Sequence, residues 1–472
     1  MIDITKNIKT VLIIFLVMFI GLISYVTYFE MVVGPQIVNN VSNKRLWVQR
    51  NEVLRGTIYD RDMTALTKSK RIDQDTQTRE YTNGPLFAHA IGYVDVKYGI
   101  TGLERKYDSE LIYSSIKDNI TNFIKYKGKL PQKVGNSIQT TLDYSIQKKA
   151  YDLLGSNKGS VVVLNPKTGE ILAMVSKPSF DPNSLDENWK DINSNPAMPL
   201  INRATAGLYP PGSTFKVITA SSALENISGI MGRTFEDNGK IVFNDNESLS
   251  NYNGEVLGTL NFKDAFVESS NVVFGTLGME LGNSKLKKTA EAFNFNADTP
   301  ADGVTIENSQ FPSYNIFEKG NIAQSAIGQS SVLATPMEMA LVASTIANDG
   351  VMMKPYIVGK VLSSSGETLK TVEPAKIRQV VSSDTAATIK DFMRAVVTDG
   401  TGTNAAIPGI EVCGKTGTAD NQEGSEPHSW FIGFAPYDDP QVAVAVIVEN
   451  GGQGGGIAAK IAAQVLKTAL SK

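Results

Sequence analysis

Residues 209–216 read YPPGSTFK and place a serine hydroxyl and a lysine amine three residues apart. Two prolines and a glycine before Ser213 predict a sharp turn, and the residues STFKVITASSALE predict a helix that starts at the serine. Positions i and i+3 share one face of a helix, so we expect Ser213 and Lys216 to be neighbours. The positive end of the helix dipole and burial both disfavour a protonated lysine. A neutral Lys216 could then accept the serine proton.

The Ser-x-x-Lys pattern is weak evidence by itself. The sequence contains it four times, beginning at Ser114, Ser145, Ser213 and Ser284. Ser213 differs from the others because it follows a Pro-Pro-Gly turn. A helix-capping serine beside a solvated lysine is the alternative interpretation of this pair, and the pair alone favours that alternative.

Two later motifs favour the chemical interpretation. Ser269-Ser270-Asn271 lies inside FVESSNVVFG, and Lys415-Thr416-Gly417-Thr418 lies just before the strand-like SWFIGF. A strand that carries lysine and threonine beside a nucleophile can bind a substrate carboxylate and donate a backbone N–H to an oxyanion. A second Lys-Thr-Gly, at Lys167, is predicted to lie in a hairpin turn, and a second Ser-x-Asn, at Ser313, in a loop.

Composition limits the possible chemistry. The chain has 472 residues, a net charge of −3, two histidines and one cysteine. A histidine-rich metal site is excluded, and a Ser-His-Asp triad would have only two candidate bases. The charge gives no argument for nucleic acid as a partner. We therefore expect no metal, no cofactor and a base other than histidine.

An uncharged apolar run at residues 11–29 predicts a membrane anchor. As a helix it would extend roughly 28 Å, close to the hydrocarbon thickness of a bilayer. The alternative is a cleaved signal peptide, but bulky Tyr25 and Tyr28 lie where a cleavage site needs small residues. We expect a single pass through the cell membrane, with residues 1–10 cytoplasmic and the rest of the chain extracytoplasmic.

The segment after about residue 156 predicts an α/β domain. GSVVVLNPKTGEILAMVS predicts a hairpin, and HSWFIGFAPYDDPQVAVAVIVEN predicts two further strands near the other end of the domain. The last of these, Val442–Val448, is apolar on both faces and should lie in the middle of a covered sheet. IAAKIAAQVLKTAL predicts a helix packed on that sheet, and TLDYSIQKKAYDLL predicts a helix capped by Asp143. GGQGGG, at 451–456, suggests a flexible connector.

The order Ser-x-x-Lys, Ser-x-Asn, Lys-Thr-Gly resembles the motif set of penicillin-binding proteins and serine β-lactamases. The blocks RGTIYDR, GLERKYDSEL, TTLDYSIQ, VVVLNPKTGEILAM, NRATAGLYPPGSTFK and CGKTGTA resemble those of class B, monofunctional penicillin-binding proteins, and they cover the chain from the membrane span to the C-terminus. One departure is DRDMTALT, where such proteins usually have Asn-Gly after Asp-Arg.

This resemblance implies the serine β-lactamase/penicillin-binding transpeptidase fold, which is α/β (α+β) with a central antiparallel sheet flanked by helices. It also implies a transmembrane helix and a small mixed α+β pedestal before that domain. The corresponding divisions are a tail at 1–10, an anchor at 11–29, a non-catalytic pedestal at 30–155 and a transpeptidase domain at 156–472.

The resemblance further implies a peptidoglycan D,D-transpeptidase that cross-links stem peptides ending in D-Ala-D-Ala through a serine acyl-enzyme and is acylated by β-lactams. Four residues would be catalytic. Ser213 would be the nucleophile and Lys216 its general base. Ser269 would donate a proton to the leaving D-alanine, and Asn271 would hold the base and the substrate. Four would bind the terminal carboxylate: Lys415, Thr416, Gly417 and Thr418. The backbone amides of Ser213 and Thr418 would form the oxyanion hole.

The resemblance also implies a partner, a membrane glycan polymerase of the shape, elongation, division and sporulation family. Alternatives within the same fold are a D,D-carboxypeptidase, in which water replaces the acceptor amine, and a penicillin-sensing protein. The motifs do not separate the transpeptidase from the carboxypeptidase. A β-lactamase is disfavoured by the anchor and the long pedestal.

Overall fold

The computed structural model describes residues 4–33, 44–73, 76–113, 132–421 and 424–471. Helix α1, Ile4–Tyr28, continues into a π-helical turn at Phe29–Val33. Within the described ranges, Ile8–Val33 is the one helical stretch long and apolar enough to cross a membrane. It lies where the sequence predicts the anchor, and its apolar side chains are exposed.

The elements up to residue 154 are mostly short. In chain order they are α2 Lys44–Glu52, β1 Ile58–Tyr59, β2 Thr67–Arg71, β3 Gln77–Tyr81, α3 Ala88–Ile91, β4 Val94–Asp95, β5 Gly99–Ile100, α4 Gly102–Lys106, α5 Asp108–Leu111, β6 Ser137–Thr140 and α6 Tyr144–Leu154. The GLERKYDSEL block, whose spacing resembles one helix, thus forms two short helices.

The elements after residue 158 alternate between strands and longer helices. In chain order they are β7 Gly159–Leu164, β8 Ile171–Lys177, α7 Leu185–Ser194, α8 Arg203–Ala206, α9 Lys216–Asn226, β9 Thr234–Asp237, β10 Lys240–Asn244, β11 Glu247–Ser250, β12 Gly258–Asn261, α10 Phe262–Val267, α11 Asn271–Ala292, α12 Lys319–Ala326, α13 Pro336–Ala347, β13 Val351–Met353, β14 Val358–Leu362, β15 Thr368–Thr371, β16 Lys376–Gln379, α14 Ser383–Thr398, β17 Cys413–Ala419, β18 His428–Ala435, β19 Val442–Val448 and α15 Ile457–Leu470.

A five-stranded antiparallel sheet with the order β17-β18-β19-β7-β8 forms the centre of the domain. Strand β19 is the middle strand, and every one of its residues is buried. Helix α15 packs on one face of the sheet and α13 on the other. The predicted hairpin, the covered middle strand and the C-terminal helix are therefore confirmed. A strand needs apolar residues on both faces when helices cover both faces, which is why β19 reads VAVAVIV.

Helix α6 links the N-terminal region to this sheet. Asp143 Oδ1 accepts hydrogen bonds from the backbone N–H of Ser145 at 3.0 Å and Ile146 at 3.1 Å, which confirms the predicted cap. The buried face of the helix, at Ile146, Ala150 and Leu154, lies in one hydrophobic cluster with β7, β8 and α15. By packing, α6 belongs with the central five-stranded sheet although it precedes residue 155.

A second sheet joins the two regions of the chain. Its order is β1-β6-β14-β15, so two strands that precede residue 141 join two that follow residue 357 through the β6–β14 pair. The turn after β1 contains the departure DRDMTALT. Asp60 Oδ1 closes this turn by accepting from the N–H of Asp62 and Thr64, and Met63 adopts a φ of 64° there. The turn forms without the Asn-Gly pair, at the expense of a left-handed conformation for a non-glycine residue.

Candidate active site

The backbone of the turn before Ser213 is held by two hydrogen bonds, one to a backbone carbonyl and one from a side chain. Gly212 has a φ of +53° and opens a 3₁₀ turn, Gly212–Phe215, which continues into α9. The Gly212 N–H donates to Gly328 O at 3.0 Å. Trp430 Nε1–H donates to Pro210 O at 3.0 Å. Ser213 is partly exposed, so its hydroxyl lies at the surface of a tightly held turn.

This turn contacts the edge strand β17 at two glycines. A Cβ atom added to Gly212 would lie 2.7 Å from Thr418 O, and one added to Gly417 would lie 2.9 Å from Pro211 O. Real Cβ atoms do not approach this closely, so only glycine allows the two backbones to meet here. The contact places the backbone of Ser213 next to that of Thr418.

Lys216 lies at the start of α9 and is fully buried. Its Nζ donates to Ser269 O at 2.5 Å and to Asn271 Oδ1 at 2.8 Å, and it lies 3.3 Å from Ser269 Oγ. Lys415 Nζ donates to the same Ser269 Oγ at 2.8 Å. The Ser269 hydroxyl therefore lies between two lysine amines that come from different elements.

Burial of these amines lowers their pKa values, because a low-dielectric environment disfavours the charged form. Burial and, next, the charge of Lys415 hold the pKa of Lys216 well below its ordinary value, whereas Asp237 acts in the opposite direction. Burial lowers the pKa of Lys415 to about 7, against an opposing effect of Glu268. A buried lysine of lowered pKa can exist as the free amine at neutral pH and accept a proton.

The 269–271 segment has a strained start and a well-capped end. Ser269 has a φ of 61°, which is uncommon for a residue with a side chain. Ser270 Oγ caps α11 by accepting the N–H of Val273 at 2.9 Å. Asn271 Nδ2 donates to Ser250 O at 2.8 Å, so its Oδ1 is directed at Lys216.

Strand β17 carries the Lys-Thr-Gly-Thr motif along the edge of the sheet. Thr416 Oγ1 lies 2.6 Å from Thr401 Oγ1, and Thr418 Oγ1 accepts the Gly454 N–H at 3.2 Å. Gly454 belongs to the glycine-rich 451–456 segment, which packs directly against β17: a Cβ atom on Gly454 would lie 2.2 Å from Gly417 O. Gln453 Nε2 donates to Tyr252 Oη at 3.0 Å, which ties this segment to the region that contacts Asn271.

The structure brings all eight predicted site residues into one region through these contacts. The competing motifs lie elsewhere. Lys148 forms an exposed ion pair with Asp152, Lys287 donates to Ser313 Oγ, and Lys167 contacts Asp439 at a hairpin turn. The remaining Ser-x-x-Lys, which begins at Ser114, lies outside the described residues.

Sequence reasoning missed several residues that shape the site. Asp237 and Asn251 form hydrogen bonds beneath the 269–271 segment. Gly328 and Trp430 form hydrogen bonds to the turn that carries Ser213, here called the nucleophile turn. None belongs to a motif, and each acts on a partner far away in sequence. The positive φ of Gly328, 73°, is a property of the backbone that a sequence with 40 glycines does not single out.

A partly exposed serine at a helix start, two buried lysines and a hydroxyl between them can perform acyl transfer through a serine ester, with lysine in the place that histidine occupies in other serine enzymes. These features are those expected of one class, the serine acyl-enzymes that use a lysine as the base.

The comparisons with known proteins identify the family. The penicillin binding protein transpeptidase domain matches residues 159–467, and the penicillin binding protein A dimerisation domain matches residues 55–136. The chain is 37% identical to the peptidoglycan D,D-transpeptidase PbpA of Mycolicibacterium smegmatis over 421 residues, which are 83% of this chain and 84% of that protein. This chain belongs to the penicillin-binding protein transpeptidase family.

Solved structures show the same likeness. The D,D-transpeptidase domain of a peptidoglycan glycosyltransferase from Eggerthella lenta is 37% identical, with a TM-score of 0.80 over 89% of this chain and 99% of that one. The penicillin G acyl-enzyme complex of penicillin-binding protein A from M. tuberculosis is 33% identical, with a TM-score of 0.81 over 89% of this chain and 100% of that one. The predicted fold class is thereby confirmed.

Proposed function

We propose that this chain is a membrane-anchored peptidoglycan D,D-transpeptidase that cross-links stem peptides and is inhibited by β-lactams. One observation carries the proposal: Lys216, Ser269 and Lys415 form a hydrogen-bonded chain, with both lysines buried, next to the Ser213 turn. Relatives that share this fold and most of its length are named as D,D-transpeptidases, and one has been captured with penicillin G as an acyl-enzyme.

Acylation begins when Ser213 Oγ attacks the carbonyl carbon of the penultimate D-alanine. Lys216 Nζ accepts the hydroxyl proton as the C–O bond forms, and the carbonyl π electrons become an oxyanion. The backbone N–H groups of Ser213 and Thr418 stabilise this charge; the backbone contact between Gly212 and Thr418 supports their pairing. As the tetrahedral intermediate collapses, the C–N bond breaks and the departing D-alanine amine takes a proton from Ser269 Oγ.

Ser269 is restored by the proton that Lys216 accepted, because the two groups are 3.3 Å apart. Deacylation uses the same groups in reverse. The amine of a neighbouring stem peptide loses its proton through this chain and attacks the ester carbonyl. A new amide forms, the C–O bond to Ser213 breaks, and Ser213 recovers its proton. In a β-lactam the broken C–N bond lies within a ring, so the leaving amine stays attached and obstructs this second step.

The substrate carboxylate binds along β17. Thr416 and Thr418 alternate with Gly417 and therefore face the same side of the strand, where their hydroxyls can donate to a carboxylate. Lys415 adds positive charge beneath them, and Gly417 permits the close approach of the nucleophile turn. Asn271 orients Lys216 and offers an amide to the substrate backbone.

We also propose where each part of the chain lies relative to the membrane. Residues 1–10 are cytoplasmic, 11–29 cross the membrane, 30–155 form a pedestal and 156–472 form an extracytoplasmic transpeptidase domain, with α6 and the second sheet shared between the last two. The pedestal would hold the transpeptidase domain away from the bilayer, near nascent glycan. A monofunctional transpeptidase also requires a separate glycan polymerase, and we propose a membrane polymerase of the shape, elongation, division and sporulation family.

The test supplies full-length protein in detergent with glycan strands made by a cognate polymerase, followed by digestion to muropeptides and mass spectrometry. We expect cross-linked dimers that disappear with penicillin G and in Ser213→Ala, but persist in Ser145→Ala, a matched change in another Ser-x-x-Lys. Loss of terminal D-alanine without dimers, in reactions that contain acceptor amines, would overturn the proposal in favour of a D,D-carboxypeptidase.

A further inference from the structure

We propose that Asp237 is a positioning residue of the active site, which acts together with Asn251 and Ser270 to hold the 269–271 segment against Lys216. The inference rests on the proposed function, because it concerns the base of that reaction. Asp237 ends strand β9 and belongs to none of the three motifs. Its side chain is fully buried, and those of Ser270 and Asn251 are 1% and 6% exposed.

The carboxylate of Asp237 is the centre of a network of hydrogen bonds. Ser270 Oγ donates to Asp237 Oδ2 at 2.5 Å, and Asn251 Nδ2 donates to Oδ1 and Oδ2 at 2.7 and 2.9 Å. The Gly239 N–H donates to Oδ1 at 2.9 Å. These four hydrogen bonds, from three groups, fix the orientation of the buried carboxylate.

Asp237 determines the direction of the next bonds in the network. Since Ser270 donates its only proton to Asp237, its oxygen is left to accept the Val273 N–H at the start of α11. Since Asn251 directs its amide nitrogen at the carboxylate, its Oδ1 faces the N–H groups of Asn271 and Val272, at 2.8 and 3.2 Å. The carboxylate thereby fixes the two side chains that cap the N-terminus of α11, the helix that presents Asn271 to Lys216.

The same carboxylate also acts on Lys216 through its charge. The charged groups that face Lys216 are Lys415 from β17 and Asp237 from β9; Glu268 faces Lys415 in turn. Lys415 and burial favour the neutral amine, and Asp237 opposes them. A base that remains neutral but retains proton affinity is the better catalyst, because the strength of a general base rises with its pKa.

The test measures the second-order rate of acylation by a fluorescent penicillin between about pH 5 and 10, in full-length variants whose folding is checked by thermal unfolding. In Asp237→Asn an amide faces the Asn251 amide and the Ser270 hydroxyl, and the negative charge is lost. We expect the plateau rate to fall about 10- to 100-fold, as displaced catalytic groups do. The acid limb of the profile is the pH range in which the rate falls as Lys216 becomes protonated. Loss of the negative charge lowers the pKa of Lys216, so we expect this limb to move to lower pH by about one unit.

Two controls separate charge from position. Ser270→Ala removes one hydrogen bond but keeps the Asp237 carboxylate, so the plateau should fall about 10-fold while the acid limb stays in place. Asp264→Asn removes an exposed carboxylate from nearby α10 and should change neither.

A folded Asp237→Asn variant with the wild-type plateau contradicts the positioning role, and one with the wild-type acid limb contradicts the effect of its charge on Lys216. If that variant does not fold, Ser270→Ala decides, and a wild-type plateau there contradicts the positioning role equally. Acylation that persists in Lys216→Ala would instead show that the proposed function itself is wrong, since the lysine base would then be dispensable.

Discussion

At the scale of single residues, the site consists of two buried lysines around one serine hydroxyl. The pairing of the two lysines joins residues from α9 and β17 through Ser269, and neither local sequence indicates it. Burial and then the charge of Lys415 lower the pKa of Lys216, so the site favours a free base there. The lysines themselves could be predicted from motif order, whereas their charge states depend on a three-dimensional environment that the sequence does not display.

Replacing Lys415 should change the pH dependence of acylation. Lys415→Met removes a charge that lowers the pKa of Lys216, so Lys216 would protonate at higher pH and the acid limb should move up by about one unit. Recognition of the substrate carboxylate should weaken as well. Lys415→Arg keeps the charge and should leave the limb near its wild-type position. Rates with a fluorescent penicillin across pH check both variants; an unmoved limb in Lys415→Met would contradict the coupling.

At the scale of structural elements, the turn before Ser213 shows what sequence patterns can and cannot predict. Pro-Pro-Gly predicts a turn and a helix start, and the structure has both, although the first turn is 3₁₀ and α9 begins only at Lys216. Gly328 and Trp430, which are distant in sequence, hold the turn in place through hydrogen bonds to its backbone. Local pattern predicts a turn but not the distant residues that hold it.

Gly328→Ala should therefore impair acylation without unfolding the protein. Its Cβ atom would lie 2.3 Å from Gly212 O and 2.7 Å from Phe215 Cβ, so the nucleophile turn would have to move. We expect acylation by penicillin G to slow by about 100-fold, as reacting groups move out of line. Gly366→Ala is the matched control, because Gly366 also has a positive φ, 89°, but open space around its Cβ position. Equal rates in the two variants would refute this role of Gly328.

At the scale of the whole molecule, two sheets each combine strands from distant parts of the chain. Strands from both ends of the catalytic region form the central sheet, as the apolar runs predict. The second sheet, in which β14 pairs with β6 and β15 adds to its edge, could not be predicted, because short strands such as TLKT carry no distinctive pattern. Edge and surface strands reveal little in sequence, since their stability depends on neighbours rather than on their own apolar residues.

A buried ion cluster stabilises the N-terminal region beside this second sheet. Glu104 is fully buried and accepts from Arg55 at 2.6 Å and Arg79 at 2.8 Å, and Arg55 also pairs with Asp108 at 2.6 Å. Burial opposes ionisation of Glu104, but Arg79 and Arg55 outweigh it and lower its pKa. Loss of one member would leave an unpaired buried charge, at a cost of about 3–5 kcal/mol. The ion cluster explains why the blocks RGTIYDR and GLERKYDSEL contain charged residues that lie in the interior of the protein.

The central claim is that Ser213 becomes acylated with the help of Lys216, and the most direct measurement is the mass of the protein after reaction with penicillin G, followed by peptide mapping. We predict the added mass of one penicillin on the peptide that contains Ser213. It should be absent from Ser213→Ala and should form at least 100-fold more slowly in Lys216→Ala, as expected for loss of a general base. An adduct that survives in Ser213→Ala, or that maps to Ser145 or Ser284, would contradict the account.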